Sequence, residues 1–175
     1  MLWLTDAIES IRDFMALGGP VLKLIALTIF IMWVLIAERL MYFRTTMKIV
    51  SQGIRDEWET RPERRSWNAH QIREMMISQF RMTTNRNIAM IQTLVALCPL
   101  LGLLGTVTGM VSVFQVLAVS GSGNVRAMAA GVSQATVPTM AGMVGALSGV
   151  LLVTLLSRRA AREVEFLEDS LTMDH

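Results

Sequence analysis

From Asn87 to Val125 the chain reads NIAMIQTLVALCPLLGLLGTVTGMVSVFQVLAVSGSGNV, without one charged residue. A helix on a soluble protein keeps a polar stripe every three or four residues. Between Ala96 and Ala118 the only breaks in the apolar run are Thr, Ser, Gly and one Gln. Crossing a hydrocarbon core of about 30 Å takes about 20 apolar residues, and this stretch supplies them. A second charge-free stretch runs from Ala127 to Ser157, and a shorter one from Leu24 to Ala37. The shorter one reaches Phe43 if Glu38 and Arg39 form an interfacial pair, with Lys23 and Arg39 snorkelling toward opposite surfaces. The expectation is an all-α membrane protein with three transmembrane helices at 22–43, 88–119 and 127–157.

Composition agrees. Of 175 residues, 53% are hydrophobic and 17% charged, against about 25% charged in soluble domains. Mean hydropathy is +0.48. One cysteine cannot form an internal disulfide, and a net charge of +2 does not point to nucleic acid.

Charge placement orients the chain. Segment 44–87 carries nine Lys and Arg, and the tail 158–175 opens with Arg158, Arg159 and Arg162. The first twenty residues hold only Arg12 among Asp6, Glu9 and Asp13. The positive-inside rule then puts the N-terminus in the periplasm, and the loop 44–87 and the C-terminus in the cytoplasm. Residues 1–20 read as an interfacial amphipathic helix, with Leu4, Ile8, Ile11 and Met15 on one face. Gly18-Gly19-Pro20 ends it. Residues 120–126 form the periplasmic loop. Between Pro62 and Pro99 there is no Gly or Pro, so one helix is predicted from about 66 to 119, with Ile72, Met75, Met76 and Phe80 as its apolar stripe. Gly53 is a weak point in the first helix, and Arg61-Pro62 marks the cytoplasmic turn. All three helices are expected to continue from the membrane into the cytoplasm.

Gly102, Gly105 and Gly109 repeat forty residues on as Gly142, Gly145 and Gly149. In lipid, small residues let backbones touch. Packing within a subunit and between subunits would use the same surface, and the sequence leaves that choice open. Pro138 deprives the Gln134 carbonyl of its helical partner. That frees a carbonyl beside the Gln134 amide and the hydroxyls of Thr136 and Thr139, a group suited to water, an ion or a partner helix. Pro99 does the same to Val95 without polar company and reads as a structural kink. Neither the second nor the third span holds an Asp, Glu, His, Lys or Arg. If the protein conducts protons, the titrating group comes from another chain. No metal-ligand cluster, nucleophile–base pair or phosphate loop is legible, so neither catalysis nor a cofactor is expected.

Cys98-Pro-Leu-Leu-Gly-Leu-Leu-Gly-Thr-Val-Thr-Gly-Met110 resembles the second-span motif of the ExbB/TolQ/MotA proton-channel proteins. Gly131-Val-Ser-Gln-Ala-Thr-Val-Pro-Thr-Met-Ala-Gly142 resembles their third-span motif. Three spans agree with ExbB and TolQ rather than four-span MotA, and the short length looks most like an ExbB of a TonB-type system. The resemblance implies a pentamer in the bacterial inner membrane, surrounding ExbD-like single-span helices whose transmembrane Asp carries the proton. It implies that a TonB-like protein passes the work to outer-membrane uptake of siderophore iron, haem or cobalamin. Thr106 and Thr139 correspond to family threonines that face the pore, and Gln134 replaces a family Glu. A neutral amide exchanges no proton at neutral pH. The pathway residues expected on this resemblance are Thr106, Thr139, Gln134 and Thr136. Lipid is expected around the helices. A TolQ-like role in envelope integrity and a non-energised membrane scaffold are the competing readings.

Overall fold

The computed structural model describes residues 2–64, 66–120 and 125–172, apart from the side chains at 2–4, 7, 8, 17 and 120. Among these the chain is all-helical: α1 (Leu2–Leu17), α2 (Gly19–Glu59), α3 (Trp67–Asn85), α4 (Ile88–Ser120) and α5 (Val125–Ser170). Three helical paths are long and apolar enough to cross a membrane: Gly19–Glu59, Trp67–Val119 and Val125–Ser170. At 1.5 Å per residue, 41 residues of α2 and 46 of α5 extend about 60 and 70 Å, roughly twice the hydrocarbon thickness. Residues 121–124 of the expected periplasmic loop lie outside the described residues, as do the side chains of Leu4 and Ile8. Ile11, from the same expected face of α1, is 62% exposed.

The Gly18-Gly19-Pro20 break forms where the residues demand it. Gly18 is the turn, Gly19 has φ +65, and Pro20 enters the first turn of α2, where its missing N–H costs nothing. Gly53, by contrast, does not interrupt α2, which runs on to Glu59. Ser66 caps α3: its Oγ accepts from Ala69 N at 3.3 Å, an N-terminal bond that offsets one orphan donor.

The expected continuous helix from 66 to 119 is interrupted. Arg86 and Asn87 form a turn, and Asn87 sits at φ +64. Asn is among the few non-glycine residues that adopt the left-handed region readily, so this break needs neither Gly nor Pro. Taken across it, the helical path measures 53 residues.

Tertiary contacts divide the chain into two units, one of Met1–Trp33 with Thr93–Val150, the other of Val34–Gln92 with Leu151–His175. In the first, α4 buries Val95, Cys98, Gly102, Gly105 and Gly109 at alternating steps of three and four, and then Val113. α5 buries Gly131, Ala135, Pro138, Gly142, Gly145 and Gly149 in the same rhythm, with Ala146 buried beside Gly145. Such a narrow seam at a seven-residue repeat is the geometry of knobs-into-holes packing. The register follows from what a methyl group would meet at each glycine. At Gly142 it would lie 2.6 Å from the Cys98 carbonyl oxygen, at Gly109 2.5 Å from Ala135 Cα, and at Gly131 2.5 Å from Val113 Cγ2. Residue numbers rise on one helix as they fall on the other, so α4 and α5 are antiparallel. Gly19 faces Gln134, Gly145 faces Ile29 and Gly149 faces Met32, so α2 and α5 run parallel. The glycine repeats therefore pack helices of one chain against each other, which resolves the ambiguity left by the sequence.

In the second unit α3 buries Ala69, Met76, Ile77, Phe80 and Thr84. Met75, expected on that stripe, is instead 50% exposed. The C-terminal carbonyls of α5 are held by two helices. Arg73 donates from Nε to Leu171 O and from Nη2 to Glu168 O, both at 2.7 Å, and the fully buried Trp58 donates from Nε1 to Thr172 O at 3.0 Å. A cation on the last carbonyls also complements the helix dipole. Arg73→Ala removes two charge-assisted bonds and is expected to cost about 2 kcal/mol, and Trp58→Phe about 1 kcal/mol. Amide hydrogen exchange of residues 165–172 measures both, with Arg73→Ala giving the larger loss of protection.

Arg39 also departs from expectation. Its side chain is 3% exposed rather than snorkelling to a surface. Nη1 donates to Thr83 O at 3.4 Å, the Glu38 carboxylate lies 3.8 Å from Nε, and the guanidinium stands 5.1 Å from the Tyr42 ring centre. Asn87 Nδ2 donates to the same Glu38 oxygen at 3.1 Å. The end of α3 and the turn that follows it are thus fastened to α2 by adjacent residues of opposite charge.

Candidate functional site

The polar residues singled out within the spans all belong to the first unit. Most satisfy themselves locally. Thr106 Oγ1 donates to Leu103 O at 2.6 Å, and Thr136 Oγ1 to Val132 O at 3.2 Å and Ser133 O at 3.3 Å. Donation to the preceding turn is the usual device for a hydroxyl in an apolar helix, and it leaves the oxygen lone pairs free to accept. Thr139 differs. Its Oγ1 donates across helices to Gly102 O at 2.9 Å, with Ala135 O at 3.4 Å. The approach depends on glycine, because a methyl group at residue 102 would stand 3.1 Å from Thr139 Cα and 3.3 Å from Pro138 O. Gly105 makes the neighbouring seat, receiving the Pro138 ring.

Gln134 goes elsewhere. A methyl group at Gly19 would lie 2.6 Å from its Nε2, so the amide packs on bare backbone at the α1–α2 corner. Five residues separate Gln134 from Thr139, about 140° around the helix. The group inferred around the freed Gln134 carbonyl is therefore distributed over two flanks of α5: Gln134 toward α2, Thr139 toward α4. Thr136 is exposed, about 60° from Thr139.

α2 also fixes the side on which the hydroxyls lie. A methyl group at Gly105 would meet Val21 of α2 at 3.5 Å, and one at Gly145 would meet Ile29 of α2. Thr106 and Thr139 each fall on the opposite flank of their seam by helical rotation. With Thr136 they form a short row of hydroxyls on the face of the α4–α5 pair turned from α2, among the exposed apolar residues Leu103, Met110, Val132 and Met143. Each hydroxyl can accept from a carboxylic acid as it stands, and can donate to a carboxylate by releasing the backbone carbonyl that holds its hydrogen.

Sequence reasoning paired Arg39 with Glu38, whose carboxylate does lie 3.8 Å from it, but missed the burial of Arg39 and the Gly19–Gln134 contact. Ile25, Met32 and Arg39 are seven residues apart, so the repeat that buries the first two also places Arg39 inward. The Gly19 contact left no such trace.

Residues 43–169 match the MotA/TolQ/ExbB proton channel family. The chain belongs to that family. Over 84 residues it is 34% identical to the putative biopolymer transport protein ExbB-like 1 of Synechocystis sp., a match covering 46% of this chain and 33% of that protein. The matched part thus spans about a third of the curated relative's length. No solved structure matches the chain. MotA/TolQ/ExbB proteins are channels and transducers rather than typical enzymes, and three span-forming helices make this one a multi-pass membrane protein.

Proposed function

We propose that the chain is an ExbB-type subunit of a motor in the bacterial inner membrane, driven by the proton-motive force and energising TonB-dependent outer-membrane uptake. Several copies, five by resemblance, surround single-span partner helices. The N-terminus is periplasmic and the long α2–α4 connection cytoplasmic. The row of Thr106, Thr136 and Thr139 hydroxyls on the α4–α5 face turned from α2 carries this reading. A partner's carboxyl group at mid-membrane depth needs relief in both its protonated and ionised forms; a hydroxyl accepts from the acid as it stands and donates to the carboxylate when it releases its own backbone carbonyl. Work comes from charge moving through the field, about 2.3 kcal/mol per elementary charge per 100 mV. Gln134, held against the α1–α2 corner, acts as a brace and moves no proton.

Thr139→Val tests this. It removes one hydroxyl of the row together with one interhelical bond, worth about 0.6 kcal/mol in membrane proteins, too little to unfold the bundle. Growth on a siderophore under iron limitation is expected to be lost, with the complex still assembled at wild-type mass in detergent. Thr139→Ser is expected to retain growth. Normal growth of Thr139→Val removes the hydroxyl row from the mechanism. Intact growth with a failing envelope transfers the protein to the TolQ-like role.

A further inference from the structure

On the other flank of α5 the first unit leaves a trough. It consists of two adjoining cavities of about 550 and 420 Å³ that share Phe14, Ile29, Trp33 and Ala141. Small side chains at Ala26 and Ala141 hollow it out between α2 and α5. Phe14 of α1 lines both cavities, Met15 the one that reaches Leu22, and Ser148 the other.

Its length is informative. Along α2 the lining runs from Leu22 to Trp33, and along α5 from Val137 to Ser148, eleven helical rises on each of two parallel helices. That is about 17 Å, close to half of a hydrocarbon core of about 30 Å, the depth of one leaflet. A cation stands at the head. Lys23 is exposed and lies on the ridge of Ala26 and Phe30, three and seven residues on. Its four-carbon stem can follow apolar surface while the ammonium stays at the interface. One leaflet's depth of apolar trough with a cation on the ridge beside its head is the complement of a phospholipid, with acyl chain below and phosphate above.

We propose that this trough is a phospholipid-binding site, in which an acyl chain lies along α2 and α5 beneath α1 and the headgroup phosphate meets Lys23. The site lies on the flank away from Thr106 and Thr139, so the lipid takes no part in ion passage. It fills the space beside the Gln134–Gly19 contact and secures α1 over the bundle. The inference needs only that the chain spans the membrane and stands or falls apart from the uptake reading.

The test uses the full chain, purified in mild detergent, stripped of lipid and titrated with dibrominated dioleoyl phosphatidylglycerol. Trp33 lines the trough, and its share of the fluorescence is the part lost in Trp33→Phe. Saturable quenching of that share at about one lipid per chain is expected. Lys23→Gln is expected to weaken binding of phosphatidylglycerol about five-fold. Ala26→Phe with Ala141→Phe, which fills the trough, is expected to abolish saturable quenching with helix content by circular dichroism unchanged. Quenching that never saturates, or that survives in the filled variant, means casual contact with surrounding lipid and overturns the site. An unchanged affinity in Lys23→Gln overturns the phosphate contact. If the filled variant loses helix content, the Lys23→Gln result and the saturation stoichiometry decide alone. Absent quenching, together with a disulfide between copies bearing cysteines at residues 30 and 140, assigns the trough to a second copy and also overturns the proposal.

Discussion

Gly109→Ala and Gly142→Ala are expected to lower the melting temperature of the detergent-solubilised protein by about 4–8 °C, and Gly53→Ala to raise it. Alanine in place of glycine within a helix is favourable by about 1 kcal/mol on propensity alone. At Gly53 nothing lies within 4 Å of the added methyl, so this gain is realised. At Gly109 the methyl meets Ala135 N and Cα at 2.6 and 2.5 Å, and at Gly142 it meets the Cys98 carbonyl oxygen at 2.6 Å. These are backbone atoms, which cannot turn aside like a side chain. The helices must separate, and overpacking of this kind costs about 1–3 kcal/mol or more. Separation also stretches the Thr139–Gly102 bond a few residues along the same seam. A net loss of about 2 kcal/mol corresponds to about 4–8 °C for a chain of this size. Gly102→Ala, with its nearest neighbours at 3.1–3.5 Å, is expected to fall between the extremes. A thermal series over the four variants checks the order. If Gly109→Ala melts no lower than Gly53→Ala, the glycines do not form the α4–α5 contact.

The second large effect is at Arg39. Arg39→Ala is expected to cost about 3 kcal/mol, and Arg39→Met substantially less. Truncation to alanine leaves a cavity where the guanidinium and its stem were packed, opens the Thr83 carbonyl, and takes the counter-charge from Glu38. Breaking a buried ionic contact by removing one partner costs about 3–5 kcal/mol, whereas an apolar side chain of similar volume is often neutral. Glu38 is half exposed and can rehydrate, which puts the expected value at the low end. Arg39→Lys is expected to lie between, because an ammonium keeps the charge but lacks the planar fork that reaches a carbonyl, a carboxylate and an aromatic face together. Denaturant or thermal titration of the four proteins gives the order. Arg39→Met as damaging as Arg39→Ala would mean that the charge, not the packing, holds this joint.

The spans were legible because hydrocarbon tolerates so few charges. The empty stretches Asn87–Val125 and Ala127–Ser157 need no knowledge of neighbours to be read. The seam was half legible: spacing at Gly102, Gly105 and Gly109 marks a smooth face, but whether it meets its own chain or another depends on partners that periodicity does not name. The break at Asn87 was hidden, since a left-handed asparagine carries no signal as plain as proline. The burial of Arg39 is legible only from its position in the seven-residue repeat, because its residue type alone points to a surface. Among the candidate site residues, Thr106 and Thr139 stood out as hydroxyls in apolar helices. That they share a flank, and that Gln134 leaves it, follows only from the positions of Val21 and Ile29 on α2.

The alternation of three and four in the buried positions from Val95 to Gly109 and from Gly131 to Gly145 limits how the length of this protein can vary. Adding one residue between Cys98 and Gly109 would swing everything beyond it by about 100°, bringing leucines into the contact and sending glycines out to lipid. Adding seven would leave every inward side chain inward and displace the helix end by about 10 Å. Length in these helices is therefore quantised, and any relative that differs in reach is constrained to differ by whole repeats.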